Sequence, residues 1–411
     1  MVTSPTILAF VALLAILSIV GLLTRRLGIP YSVALVVVGL LVSIAAPDVH
    51  VQITPDLVLA ALLPGLVFEA AFRIDVRDLF RALGGVALLA VPGVVITAGV
   101  VGLTLHVATG LPLPLGLVVG AIISATDPAA VIDAVKRLDA PPRLATLFEA
   151  ESLFNDGTAI VVFLIALQSV AGEVSVAHGV VEFVLIVIGS VAVGAIAGAL
   201  VSAVMSGSED HLLEITLSVL LAYGSYAIAD AVGLSGLIAT VVAGITLGGV
   251  GRRYGLSRRA REEIDDVWAF LAFLLTGLVF LLIGLAMTPD RLAGAIVPIA
   301  WAVAAITAGR AVVVYGLLGG ASALAERLGR GPRMPVGWLH VIFWGGLRGA
   351  VAVALALALP ADVPQRDLLQ GLTFGVVLFT LLVQGTTAPR VLRWARIERH
   401  NPPTAPVLPA D

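Results

Sequence analysis

Thirteen apolar runs, each about as long as a bilayer is thick, constrain this chain more than any other feature. A helix needs roughly 20 mainly apolar residues to cross the hydrocarbon core. Runs of that kind lie near 6–23, 30–46, 54–72, 83–107, 112–135, 143–170, 175–205, 211–231, 234–249, 264–287, 292–319, 335–360 and 367–389. Between them the chain is short, polar and often basic. Of the 411 residues 59% are hydrophobic and only 12% charged, where an ordinary soluble domain carries about 25% charge. With a mean hydropathy of +1.09, no water-soluble fold accommodates such a chain. It predicts an all-α polytopic membrane protein with about 13 transmembrane helices.

The basic residues give an independent check, because cytoplasmic loops collect Lys and Arg. Counting from the first run, Arg25 and Arg26, then Arg73, Arg77 and Arg81, then Lys136, Arg137 and Arg143 fall on one side of the membrane. So do Arg252, Arg253, Arg258, Arg259 and Arg261, then Arg327, Arg330 and Arg333, and finally Arg390, Arg393, Arg396 and Arg399. These are twenty of the 24 Lys and Arg. Arg291 and Arg366 fall on the opposite side, and Arg310 and Arg348 inside runs. The partition predicts thirteen spans with the N-terminus outside and the C-terminus inside. The first run has neither a basic n-region nor a small-residue cleavage site and reads as a retained helix. Residues 1–391 are expected to form one transmembrane domain, followed by a short Pro-rich cytoplasmic tail over 392–411. The basic loops follow from topology, so no nucleic-acid partner is expected.

If helices 1–6 (about 6–170) and 8–13 (about 211–389) are equivalent sets, with helix 7 (about 175–205) between them, their offset of seven makes the repeat inverted. In transporters with such repeats the site lies near the midplane, where matching helices are interrupted by Gly or Pro. Helix 5 carries Ser124-Ala125-Thr126-Asp127-Pro128 and helix 12 carries Trp344-Gly345-Gly346-Leu347-Arg348-Gly349. Both are expected to break there and to offer unpaired backbone carbonyls to a cation. Gly in membrane helices otherwise serves close packing, which accounts for most of the 43 glycines.

Ionisable groups inside spans are costly and usually face a cavity or a partner. Glu69, Asp127, Glu151, Asp156, Arg310 and Arg348 qualify, whereas Glu149, Glu182, Glu214 and Asp230 lie close to predicted ends, where snorkelling or loop exposure suffices. On helix 6, Ser152 and Asp156 share one face, and Glu151 and Asn155 the adjacent one. At 1.5 Å per residue, Asp156 lies roughly 20 Å from the helix start at Arg143, and Asp127 roughly 12 Å from the inner end of helix 5. The two carboxylates therefore meet near mid-membrane. With Ser152, Thr126 and freed carbonyls they would make an oxygen cage for a small hard cation. Four acids face two bases, so two acids have no cationic partner. An unpartnered carboxylate can hold a proton or a metal ion but not both, which is all that antiport requires. The bland alternative is a structural polar network between helices.

At these residues the sequence resembles the sodium/proton exchangers of the bacterial NhaP type and their animal relatives. Leu62-Leu63-Pro64-Gly65-Leu66-Val67-Phe68-Glu69-Ala70-Ala71-Phe72 resembles the third-helix signature, and Ala125-Thr126-Asp127-Pro128 the unwound fifth helix. Glu151-Ser152-Leu153-Phe154-Asn155-Asp156 resembles the Asn-Asp motif, Gly309-Arg310-Ala311 the arginine of helix 11, and Gly345-Gly346-Leu347-Arg348-Gly349-Ala350 the glycine-rich arginine motif. The resemblance implies that Asp156 binds ion and proton, that Asp127, Ser152 and the Thr126 backbone complete the cation site, and that Asn155 orients the core. It also implies structural ion pairs of Glu151 with Arg310 and of Glu69 with Arg348. Asn at 155 resembles the electroneutral branch, one cation for one proton. A homodimer and an elevator-like movement of the core follow from the resemblance as well.

The expected activity is exchange of a monovalent cation, Na⁺ or else Li⁺ or K⁺, for H⁺. A cation channel is the second class, although no filter loop with rings of carbonyls or charges is visible. An intramembrane aspartyl protease using Asp127 and Asp156 as a pair is the third, but it leaves Asn155 and the buried arginines without a role. No cofactor is expected, because the chain has no cysteine and its six His (50, 106, 178, 211, 340 and 400) lack ligand spacing. The preference for Arg over Lys, without a targeting extension, points to a bacterial plasma membrane.

Overall fold

The computed structural model describes residues 5–395 and 397, except 28, 46–53, 138–140, 171, 173–175, 208–209, 256–257, 288 and 331. Most of the tail expected over 392–411, with Arg396 and Arg399, lies outside the described residues, as do His50 and His400.

Every regular element among the described residues is helical. In chain order these are α1 (Pro5–Leu27), α2 (Tyr31–Ala45), α3 (Leu63–Arg73), α4 (Val76–Ala90), α5 (Pro92–Thr109), α6 (Leu113–Ser124), α7 (Ala129–Arg137), α8 (Pro142–Val170), α9 (Val176–Met205) and α10 (His211–Ala231). There follow α11 (Gly236–Thr246), α12 (Arg258–Ala286), α13 (Pro289–Gly294), α14 (Ile296–Ala311), α15 (Gly319–Arg327), α16 (Val336–Trp344), α17 (Ala350–Leu357), α18 (Arg366–Phe379) and α19 (Thr386–Trp394). Wider π turns at Leu57–Leu62, Leu247–Gly255, Val312–Leu318 and Thr380–Gly385 extend or join these helices.

Eight helices among the described residues are long and apolar enough to cross a membrane: Val76–Thr109, Leu113–Ile132, Pro142–Val170, His178–Met205, His211–Ala231, Arg261–Ala286, Ile296–Arg327 and Arg366–Trp394. The run expected over 83–107 belongs to the 34-residue stretch Val76–Thr109, which turns at Val91 just before Pro92 opens α5. Arg77 and Arg81, expected in a loop, instead occupy the first turns of α4, whose N-terminus is capped by the Asp75 carboxylate accepting from the Arg77 and Asp78 N–H groups. Charge ended the apolar run, but a good cap started the helix earlier.

The helices pack as two groups. In one, α2 lies on α12, α3 on α11 and α12, and α9 on α10 and α11. In the other, α5 packs against α6 and α14, α8 against α4 and α6, and α18 against α14 and α17. The α2–α12 contact is backbone to backbone: a Cβ on Gly39 would fall 2.4 Å from the Leu281 carbonyl oxygen, so only glycine permits it. Helix α9 leaves a row of apolar side chains exposed, including Val181, Leu185, Ile188 and Leu200. That surface suits hydrocarbon, where each backbone polar group must be satisfied within its own helix.

Candidate functional site

The two sequence breaks become two interrupted helices. Pro128 lacks an N–H and disfavours helical dihedrals at Asp127, so α6 stops at Ser124 and α7 begins at Ala129. Gly345 and Gly346 end α16, and Gly349, extended at φ −146° and ψ −135°, opens α17. The non-helical stretches touch. The Asp127 N–H donates to the Leu347 carbonyl at 2.8 Å. From the other strand of the crossing, Arg348 Nη1 donates to the Ser124 and Ala125 carbonyls at 2.9 and 3.1 Å, while its backbone N–H reaches Thr380 Oγ1 at 3.1 Å.

This arrangement matches each half-helix end with a charge of opposite sign. Helix N-termini carry partial positive charge and C-termini partial negative charge. The Asp127 carboxylate accepts from the Ala129 N–H at 3.0 Å and from the Ala350 N–H, at the starts of α7 and α17. Arg348 sits on the last carbonyls of α6, and Arg310 Nη2 donates to the Ile342 carbonyl at 2.9 Å, in the last turn of α16. Four of the carbonyls that the breaks were expected to leave unpaired are engaged. Ser124, Ala125, Thr126 and Leu347 all accept a hydrogen bond, and what they still offer a cation is the second lone pair of each carbonyl oxygen.

Helix α8 supplies the remaining polar groups. Ser152 Oγ donates to the Thr126 carbonyl at 2.5 Å. Asn155 Nδ2 donates to Thr126 Oγ1 at 2.5 Å and Asn155 Oδ1 accepts from the Thr126 N–H at 3.3 Å, so the amide clamps the unwound residue at both its side chain and its backbone. Asp156 makes no hydrogen bond or ion pair among the described residues, and its electrostatic neighbours are Asp127 and Arg348. Thr126, Asp127, Ser152 and Asp156 line a common chamber of about 190 Å³. Asp156, Asp127, Ser152, Thr126 and Asn155 thus converge in space.

Of the two expected ion pairs one is present. Arg310 and Glu151 are bonded through both guanidinium branches, Nη2 to Oε2 at 3.1 Å. The pairing of Glu69 with Arg348 is not formed. Glu69 bonds Arg73 at 2.8 Å, one turn along its own helix, and the Arg348 guanidinium is directed to the α6 carbonyls instead. Glu69, Glu149 and Thr276 line the chamber without having been singled out for it. The spacing of Glu69 and Arg73 was the available signal for that pair, as was the two-turn spacing of Glu149 and Asp156 for a shared face. Thr276 carries no signal in sequence. The same three residues, with Ala129 and Ile132, also line a funnel of about 1260 Å³ that opens on the face bearing Arg25, Arg73, Asp75 and Asp78. The chamber and the funnel share this wall.

An all-helical bundle in which two broken helices cross beside partly buried carboxylates, next to a funnel with charged residues in its wall, defines a secondary transporter. The profile of the family "sodium/hydrogen exchanger, transmembrane" matches residues 11–394, and the chain belongs to this family, as one of its NhaP-type cation/proton antiporters. The Na(+)/H(+) antiporter ApNhaP of Aphanothece halophytica is 40% identical over 369 residues, covering 89% of this chain and 69% of that protein. The Na(+)/H(+) antiporter NhaP of Pseudomonas aeruginosa is 38% identical over 350 residues, covering 82% and 81%. The solved structure of the sodium proton antiporter MjNhaP1 from Methanocaldococcus jannaschii superposes with a TM-score of 0.74 at 21% identity, over 95% of this chain and 97% of that one. That likeness shows the fold. The protein is a transporter and not an enzyme, and its bacterial relatives and apolar helices make it a multi-pass protein of the plasma membrane.

Proposed function

We propose that the chain exchanges Na⁺ for H⁺ across the membrane, the two ions competing for the Asp156 carboxylate. The observation that carries this reading is Asp156 itself: a carboxylate without hydrogen bond or ion pair among the described residues, lining a chamber that shares a wall with the funnel. Deprotonated, it attracts a cation; protonated, it does not. Asp127 supplies a second carboxylate, anchored by the N-termini of α7 and α17. Ser152 and the Thr126 carbonyl supply neutral oxygens, a donor set suited to a small hard cation. Asn155 holds Thr126 in place. With Glu151 paired to Arg310 and Arg348 engaged by carbonyls, one proton replaces one Na⁺ and exchange is electroneutral. The cation is cargo, and no resident cofactor has a role.

Thirteen spans with the N-terminus outside place the funnel on the cytoplasmic side, as the basic residues at its rim favour. The crossing half-helices then lie near the midplane at the meeting of two inverted six-helix repeats. Alternating access moves the crossing relative to the α2–α3–α12 group that walls the funnel, within a homodimer.

In proteoliposomes with an acidic interior, Na⁺ added outside should collapse the pH gradient, and Asp156→Asn should abolish the response. A folded protein that answers to none of Na⁺, Li⁺ and K⁺ would overturn the proposal, and a response confined to K⁺ would reassign the cation. Current carried during exchange would contradict electroneutrality.

A further inference from the structure

The funnel and the chamber share a wall, and one side chain of that wall lies in register with Asp156. Glu149 precedes Asp156 by seven residues on α8, which puts the two on one helix face about 10 Å apart. Glu149 lines both the wide funnel and the chamber, so it stands at the boundary between the open cavity and the site. Glu69 from α3 and the hydroxyl-bearing Thr276 from α12 line the same shared wall, with Ala129 and Ile132 of α7. The other charges along the funnel wall are Arg25, Arg73, Asp75 and Asp78.

We infer that Glu149 is a positioning residue for transport, the carboxylate that draws the cation out of the open funnel and into the chamber. This inference rests on the proposed cation/proton exchange. A carboxylate in a narrow passage walled by low-dielectric side chains focuses potential along the path of a cation and raises its local concentration. It also acts at the site itself: a unit charge about 10 Å away, at an effective dielectric near 20, changes a cation's affinity roughly tenfold. The passage opens to bulk electrolyte, so added salt screens this attraction over a Debye length of about 8 Å at 0.15 M. A residue that only packs α8 would show no such dependence on salt.

The test measures the apparent KM for Na⁺ and the maximal rate of Na⁺-driven proton movement in proteoliposomes, at low and high choline chloride, for wild type, Glu149→Gln and Glu149→Asp. Glu149→Gln should raise KM roughly tenfold at low salt, with the maximal rate retained. The gap should shrink as choline rises, and Glu149→Asp should stay near wild type. An unchanged KM, or a rise that is equal at both salt levels and accompanied by loss of rate, overturns the inference. Should Glu149→Gln fail to fold, the wild type still decides: its KM must climb with choline, and a flat response overturns the inference. Failure of the exchange reading is distinct, because wild type would then show no Na⁺-driven flux.

Discussion

Arg310 and Glu151 meet where only 8% and 2% of their side chains are exposed, so each charge depends on the other. Removing one partner of a buried pair leaves the other uncompensated and typically costs about 3–5 kcal/mol. Arg310→Met should therefore lower the thermal unfolding midpoint in detergent markedly, and the double variant with Glu151→Met should recover most of the loss. Equal midpoints for wild type and Arg310→Met would contradict the pairing. Asp156 makes the opposite prediction, in transport rather than stability. Under the proposed competition of proton and cation there, the apparent affinity for Na⁺ should fall as pH falls, approaching about tenfold per unit once the carboxylate is mostly protonated. A KM that ignores pH would mean separate sites for the two ions. The convergence of Asp127, Ser152 and Asp156 was legible from helical spacing, since two rigid helices bring their residues to a common depth. The assignment of Glu69 to Arg348 failed for a physical reason. The resemblance implied a carboxylate partner for this buried arginine, whereas Arg348 meets the carbonyl end of α6, which carries much of the same negative potential.

The crossing of α6–α7 with α16–α17 works only while its backbones stay in contact. A Cβ on Gly349 would fall 2.1 Å from Asp127 Oδ2, so Gly349→Ala must push that carboxylate away from the Ala129 and Ala350 N–H groups it caps. Transport should fall at least tenfold while the protein still reaches the membrane. Gly84→Ala, on α4 with nothing within 4 Å of the added methyl, should leave transport unchanged. Equal activity in the two variants would show that the contact does not hold Asp127 in position. Breaks of this kind can be read from sequence, because proline and paired glycines act on their own backbone. The π turns cannot, since Val312–Leu318 and Thr380–Gly385 carry β-branched residues and a single glycine each, which weaken a helix without specifying a wider turn. The joined α4–α5 stretch was also hidden, because hydropathy sees where apolar residues stop and not where hydrogen bonding does.

For the molecule as a whole, the open issue is how the helices thread the bilayer. Eight helices among the described residues are long and apolar enough to cross, one of them, Leu113–Ile132, running through the α6–α7 break, and α1 adds an apolar helix of 23 residues; the other crossings of a thirteen-span chain fall to shorter or interrupted helices. Tyr31–Ala45 and Gly236–Arg252 are apolar but shorter, and their tight seating against neighbours, as at Gly39 on Leu281, explains how they can traverse: protein rather than lipid covers them. The pairs α6–α7 and α16–α17 cross only if both halves run in the same direction through the break. This has a direct test, because the chain contains no cysteine and any cysteine introduced is unique. Thr109, Arg327 and Asp362 are exposed and lie outside the breaks. With the N-terminus outside, a membrane-impermeant maleimide applied to intact cells should modify Thr109→Cys and Asp362→Cys, but should reach Arg327→Cys only after the membrane is opened. Arg327 and Asp362 flank α16–α17. Labelling of both from the same side would mean that this broken helix turns back instead of crossing, and the inverted repeat, with Arg348 and Asp127 at a shared midplane, would have to be abandoned.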